Sequence, residues 1–176
     1  LNPPGQDNVL AVKVRNEGRN SRWYSGSGIY RHVWLTLREQ VHVPTWGLFV
    51  STPEVSTKQA LVKVSVEVRN ANRSPIHALV RASVRDAKGK VIGTTEGELN
   101  LEAGETRESE RFIRVPSPKL WSLATPYLYS STVEVVVAGK TTDTVTTPFG
   151  IRKIELDAAR GFRLNGAVVK LKGGCI

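Results

Sequence analysis

Three histidines, a scatter of carboxylates, one thiol and a glycine-punctuated aromatic loop are the residues of this chain whose types lend themselves to chemistry. His32, His42 and His77 stand ten and thirty-five residues apart, with no Cys, Asp or Glu joining them in a metal-ligand pattern. Each reads as a strand or loop histidine, and no metal site is expected. The loop RWYSGSGIYR, residues 22 to 31, offers Gly26 and Gly28 as a possible phosphate cradle. The lysine and following helix of a phosphate-binding loop are missing, so that chemistry is not expected. Glu67, Glu96, Glu98, Glu108 and Glu110 fall on alternating strand faces or near turns, as solvated surface acids do. Cys175 has no second cysteine to pair with, so any fold must rest on its core without a disulfide framework. No cofactor is implied by any of these groups.

The elements that would hold them have a period of two. In ALVKVSVEVRN, Val62, Val64, Val66 and Val68 point one way, and Lys63, Ser65, Glu67 and Arg69 the other. After the turn residues 70–75 the alternation resumes, with Ile76, Ala78, Val80, Ala82 and Val84 facing in. Turns at DAKGK (86–90) and EAGE (102–105) separate two further strands, VIGTTEGELNL and TRESERFIRV. The proline-rich PSPKLWSLATPYLY leads to STVEVVV and then to GKTTDTVTTPFGIRKIEL. Short strands, frequent turns and no helical period predict an all-β fold, an immunoglobulin-like antiparallel sandwich of about seven strands at residues 41–150. Two flanking hairpins are expected. One pairs NVLAVKV with HVWLTL through the RWYSGSGIYR loop, and the other is GFRLNGAVVKLKG, with Asn165-Gly166 as a type I′ turn signal.

Composition narrows the partners. The formal net charge of +9 raises nucleic acid, but the lysines and arginines occur singly on alternating strands, as on a solvated face. No run of apolar residues is long enough for a membrane helix. The chain has no methionine and enters a strand pattern within eight residues, so a segment of a longer polypeptide is expected. Any leader would precede Leu1, and the sequence assigns no compartment.

Three motifs occur here in one order: RWYSGSGIYRHVWL, then PKLWSLATPYLY, then FGIRKIELDAARGFRLNGAVVKLKG. In order and separation they resemble family 2 glycoside hydrolases, the group of β-galactosidases, β-mannosidases and β-glucuronidases. The resemblance implies that residues 1–40 end a jelly-roll sugar-binding-type domain, 41–150 form the immunoglobulin-like sandwich, and 151–176 lead into a (β/α)8 catalytic barrel. The family hydrolyses glycosides with retention, using two carboxyl groups about 5 Å apart. Its acid/base follows an asparagine, and Asn16-Glu17 copies that pair, but it lies upstream of the glycine loop where the family's pair follows the LKG segment.

No catalytic residue is therefore expected in this chain, and the hydrolase activity, most like a β-galactosidase, is implied for the longer polypeptide alone. There the carbohydrate substrate could meet Arg22, Trp23, Tyr24 or Arg31. The implied role of the sandwich is a spacer whose partners are the jelly roll and the barrel. Two alternatives are a carbohydrate-binding module using Trp46, Trp121, Tyr127 or Tyr129, and a free-standing adhesin-like domain. The apolar residues Val9, Val12, Val14, Val33, Leu35 and Leu37 of the first hairpin would need other partners, a dimer caused by truncation among them.

Overall fold

A computed structural model describes residues 2–3, 5–18 and 26–174. The backbone divides into two units, residues 1–36 and residues 37–176. In the first, the described residues form no strand, and Val9, Leu10, Val33 and Trp34 are exposed. The strands expected at 8–14 and 32–37 are therefore not formed among the described residues. Alternation fixes which side chains share a face, but a strand also needs a neighbour to take its N–H and C=O groups, and none pairs with these segments.

The second unit is all-β. Its first sheet is built on β3 (Gln59–Asn70), which pairs along one edge with β6 (Thr106–Pro116) and along the other with β1 (Val41–His42) and β2 (Leu48–Val55). β1 and β2 are two parts of one edge, interrupted by the turn Pro44–Gly47. The second sheet has the order β5 (Val91–Leu101), β4 (Ile76–Arg85), β7 (Tyr129–Val137), β8 (Lys140–Phe149). Every pairing is antiparallel. The seven long strands divide three and four between the sheets in the immunoglobulin manner. β1 and β2 are additions to the strands read from the sequence, and the stretch 139–156, read as one strand, divides into β8 and a separate strand at Ile154–Asp157.

The alternation places the core. Val62, Val64, Val66 and Val68 of β3 are fully buried, as are Val80, Val84, Val133 and Val135 of the facing sheet. Each contributes about 1.5–3 kcal/mol by leaving water. One buried polar group joins the layers at a rim. Asn70 donates through Nδ2 to the carbonyls of Ser74 (2.9 Å) and Glu102 (2.9 Å), and its Oδ1 accepts from the Asn72 N–H (3.0 Å). The β3–β4 and β5–β6 turns are thereby held to each other.

The remaining strands, β9 (Ile154–Asp157), β10 (Gly161–Leu164) and β11 (Ala167–Val168), form a three-stranded antiparallel meander. Its final turn is the expected one, with Asn165 at φ 51° and Gly166 at φ 83°, as a type I′ turn demands. The expected lead-in hairpin has β9 as a third strand.

β5 approaches β6 closely at a glycine. A Cβ on Gly93 would lie 2.7 Å from Cγ2 of Ile113, a core residue that is 3% exposed. Gly93→Ala is expected to destabilise the sandwich by about 1–3 kcal/mol through overpacking. Thermal denaturation checks this, and Gly93→Ala combined with Ile113→Ala should cost less than the sum of the two single substitutions, since Ile113→Ala removes the Cγ2 that the new methyl meets.

Candidate functional site

β8 and the residues just after it hold both places where the sandwich meets its flanking segments. Near its start, Asp143 accepts through Oδ2 from the Val43 N–H (2.9 Å) and from Arg38 Nη1 (3.3 Å), and through Oδ1 from the Thr144 N–H (2.9 Å). Lys140 adds an ion pair to Glu39 at 3.5 Å. Residues 38–43 are thus bound to β8 before the chain turns into β2.

The second junction follows the end of β8 and is built around Trp121 of the proline-rich segment. The Trp121 N–H donates to the Ile151 carbonyl (2.8 Å), and Ile151 is fully buried. The indole lies against the backbone at Gly150, where a Cβ would fall 2.8 Å from three Trp121 carbons, so only glycine fits there. The Arg152 guanidinium lies 5.0 Å from the Trp121 ring centroid, a cation–π contact. Asn165 closes the arrangement. Its Nδ2 donates to the Trp121 carbonyl (2.9 Å) and its Oδ1 accepts from the Lys153 N–H (2.9 Å). The residue that makes the meander's turn therefore also fixes the meander to the sandwich. Asp143 and Phe149 are six residues apart on one extended strand, roughly 20 Å.

The meander is two-faced. The register sets Phe162 opposite Leu156 and Leu164 opposite Ile154, so these four share a face. Leu164 is buried, but Leu156 is 83% exposed and Ile154 is 55% exposed. On the other face Lys153 pairs with Glu155 (3.0 Å), and Asp157 pairs with Arg160 (3.3 Å). The Arg160 side chain, with the N–H groups of Arg160 and Ala159, holds the Asp157 carboxyl below its ordinary range. The hydrogen bond from Lys153 does the same for Glu155.

The groups marked in the sequence are dispersed. Arg22, Trp23, Tyr24 and Cys175 lie outside the described residues, and Arg31 is exposed with its guanidinium 5.5 Å from the Tyr30 ring centroid. Glu17 is exposed, 3.9 Å from Arg15. His42 Nδ1 meets the Glu39 carbonyl (2.7 Å), and His77 Nδ1 meets Asn100 Oδ1 (2.7 Å). No group of three metal-ligating side chains occurs among the described residues. Glu67 and Glu108 stand directly opposite on β3 and β6, but on an open, exposed sheet face with no cleft to seat a glycosidic bond. Of the four aromatics considered as stacking platforms, only Trp46 is presented to solvent, 96% exposed. Trp121 is half-buried beneath Arg152, and Tyr127 packs edge-on against Tyr129 at 5.0 Å. Tyr129 is in the core, and burial raises its phenol above the ordinary range. Parity with Val133 and Val135 marks it from sequence. Asp143 is harder to see, because an acid in a threonine-rich strand shows no partner until the lead-in folds onto it.

Comparison with known proteins gives a consistent set. Residues 41–152 match the family model described as "Glycosyl hydrolases family 2". The chain is 41% identical over 172 residues, 97% of its length, to "Beta-galactosidase BoGH2A" of Bacteroides ovatus, of which it spans 20%. It is 33% identical over 169 residues, 96% of its length, to a "Putative beta-glucuronidase" of Formosa agariphila, of which it spans 16%. Among solved structures, a glycosyl hydrolase family 2 member from Bacteroides cellulosilyticus superposes with a TM-score of 0.85 at 37% identity, over 93% of this chain and 21% of that one. The chain thus spans about a fifth of the curated relatives it matches.

Two measurements probe the second junction. Asn165→Ala removes both side-chain bonds and places a Cβ residue without a polar side chain at positive φ. A loss of about 1–3 kcal/mol is expected, read as a lower thermal midpoint with greater solvent exposure of Trp121 fluorescence, while Asn165→Gly regains only the backbone part. The depressed Asp157 and Glu155 carboxyls favour the folded meander above their unfolded-state range, and this is lost as pH falls through their lowered folded values. An NMR titration should place the Asp157 midpoint below that of an unstructured Asp, and Arg160→Ala should move it back up.

Proposed function

The chain belongs to glycosyl hydrolase family 2, and on that footing we propose that it is the non-catalytic immunoglobulin-like domain of a longer glycosidase, holding neighbouring domains in fixed relation. The observation that favours this most is the meander's apolar face. Ile154 and Leu156 stand open to water on a unit rigidly tied to the sandwich through Asn165 and Trp121. An isolated hairpin-scale sheet does not gain by presenting leucine to solvent, whereas one that seats another domain does. In this reading residues 1–40 close a preceding jelly roll, 41–150 are the spacer, and 151–176 lead into a (β/α)8 barrel that supplies both catalytic glutamates.

The proposed reaction of the longer polypeptide is retaining hydrolysis of a β-galactoside, with Arg22, Trp23, Tyr24 and Arg31 contributing to substrate binding there. Support comes from the family and from the leading relative's name. No described carboxylate pair of this chain sits in a cleft suited to that chemistry, so the chain alone is expected to release no nitrophenol from nitrophenyl β-galactoside, β-mannoside or β-glucuronide.

Leu156→Asp tests the spacer role. In the isolated chain the substitution should leave the thermal midpoint unchanged, because the side chain is already in water. In the longer polypeptide it should bury an unpaired carboxylate and shorten the half-life of activity on heating. Equal behaviour in both contexts would remove the proposal's main support.

A further inference from the structure

The exposed aromatics of residues 37–174 are not spread evenly. Trp46, Phe49 and Phe112 are the exposed ones among the described residues there, and all three belong to the first sheet or its edge turn. The outer face of the second sheet instead presents Arg81, Ser83, Thr94, Glu96, Thr132 and Glu134.

The register shows what lies between the rings. Phe49 is opposite Ser65, which is opposite Glu110, while Ser51 is opposite Lys63, which is opposite Phe112. The inward residues of β6 are Ser109, Ile113 and Val115, so Phe112 and Glu110 point outward with Lys63 and Ser65. Two strand spacings and two residue steps separate the Phe49 and Phe112 backbones, roughly 12 Å. Lys63 and Glu110 form an ion pair in the gap. Beside Phe49 a shallow groove is lined by Ser51, Thr52, Arg152 and Ile154.

Trp46 adds a separate anomaly. It occupies the third position of a turn closed by the Gly47 N–H to the Pro44 carbonyl (2.9 Å), at φ 66°, where a bulky side chain is strained. The indole gains no burial in return. The turn is docked on β3, with the Gly47 carbonyl accepting from the Glu67 N–H at 2.7 Å, next to the opposed pair Glu67 and Glu108. A strained turn that leaves its indole in water, at the end of the sheet where Glu67 and Glu108 oppose each other, marks a surface that serves something outside the domain.

We propose that this face binds a neutral oligosaccharide. A sugar ring has an apolar C–H face and a rim of hydroxyls, and the surface alternates the groups that take each. Phe49 and Phe112 receive ring faces, while Ser51, Ser65, Lys63 and Glu110 accept and donate at the rim. Trp46 extends the strip along the β1–β2 edge. The outward charges of β3 and β6 balance, Lys63, Arg69 and Arg114 against Glu67, Glu108 and Glu110, so the face gives a charged polymer no net attraction over an uncharged glycan. The groove beside Phe49 shares Ile154 with the open face of the meander, but the three rings lie apart from Leu156, so failure of this proposal leaves the Leu156 test untouched.

The test titrates the full chain with neutral β-linked galacto- and cello-oligosaccharides, and in parallel with polygalacturonate, by NMR chemical-shift mapping and calorimetry. Binding of a neutral oligosaccharide should perturb residues 49–51, 63–65 and 110–112. Phe49→Ala and Phe112→Ala should each weaken it about fivefold with the thermal midpoint kept. Trp46→Gly should weaken binding while the thermal midpoint stays or rises, because it removes strain; a purely structural tryptophan would lower it. Absence of any neutral-glycan shift at millimolar concentration, tighter binding of polygalacturonate, or unaltered affinity in both phenylalanine variants would each overturn the proposal. So would a dimer that Phe112→Ala dissolves, since the face would then be a contact between copies.

Discussion

The structure depends on the meeting of two valine-lined faces. β3 and β7 are the strands whose counterparts in antibody domains are joined by a disulfide, and here they contribute Val62 to Val68 and Val133 to Val135 to one dry layer. Without a covalent tie, register is held by hydrophobic patterning. A slip of one residue on β3 would send Lys63, Ser65 and Glu67 into the core and four valines into water. That penalty is large beside the few kcal/mol by which domains are stable, so the pairing is decided many times over along the strand. Asn70 adds specificity at the rim, because its side chain is satisfied only when both turns it bonds are in place.

On this rigid layer β8 acts as a strut. An extended strand has little freedom along its length, and the contacts made by Asp143 and those following Phe149 set where the flanking segments leave the sandwich. The carboxylate of Asp143 and the indole of Trp121 differ in chemistry but do the same mechanical work. Each joins a segment outside the sandwich to β8 or the residue after it by bonds that would be exposed to water in a flexible linker. The polar face of the meander is satisfied internally by Lys153–Glu155 and Asp157–Arg160, and the apolar face is left open. Such asymmetry is what the proposed connecting role would use.

Much of this was legible in the chain. The positions of β3 to β7, the inward parity of Val62 to Val68 and Ala78 to Val84, the Asn165-Gly166 turn and the core position of Tyr129 all follow from a period of two and from turn chemistry, which are local. The strands expected at 8–14 and 32–37 did not form, because pairing is a property of two segments and the pattern describes one. Trp46 and Tyr127 look alike as aromatic candidates, yet one projects from a strained turn while the other packs against Tyr129. The sandwich aromatics that do face solvent with Trp46, Phe49 and Phe112, attract no notice in sequence because each sits in an ordinary strand.

The amino-acid sequence by itself determined the all-β class, the strand parity, the absence of a disulfide framework and, through three motifs, the family. Alternation and turn preference act over a few residues, so they survive without knowledge of what lies opposite. Only the tertiary structure decided that Asp143 receives residues 38–43, that Asn165 reaches Trp121 across 44 positions of chain, and which aromatics are left in water. Those outcomes rest on the packing of segments distant in sequence, where the free energy of a side chain depends on neighbours that its own stretch of chain does not name.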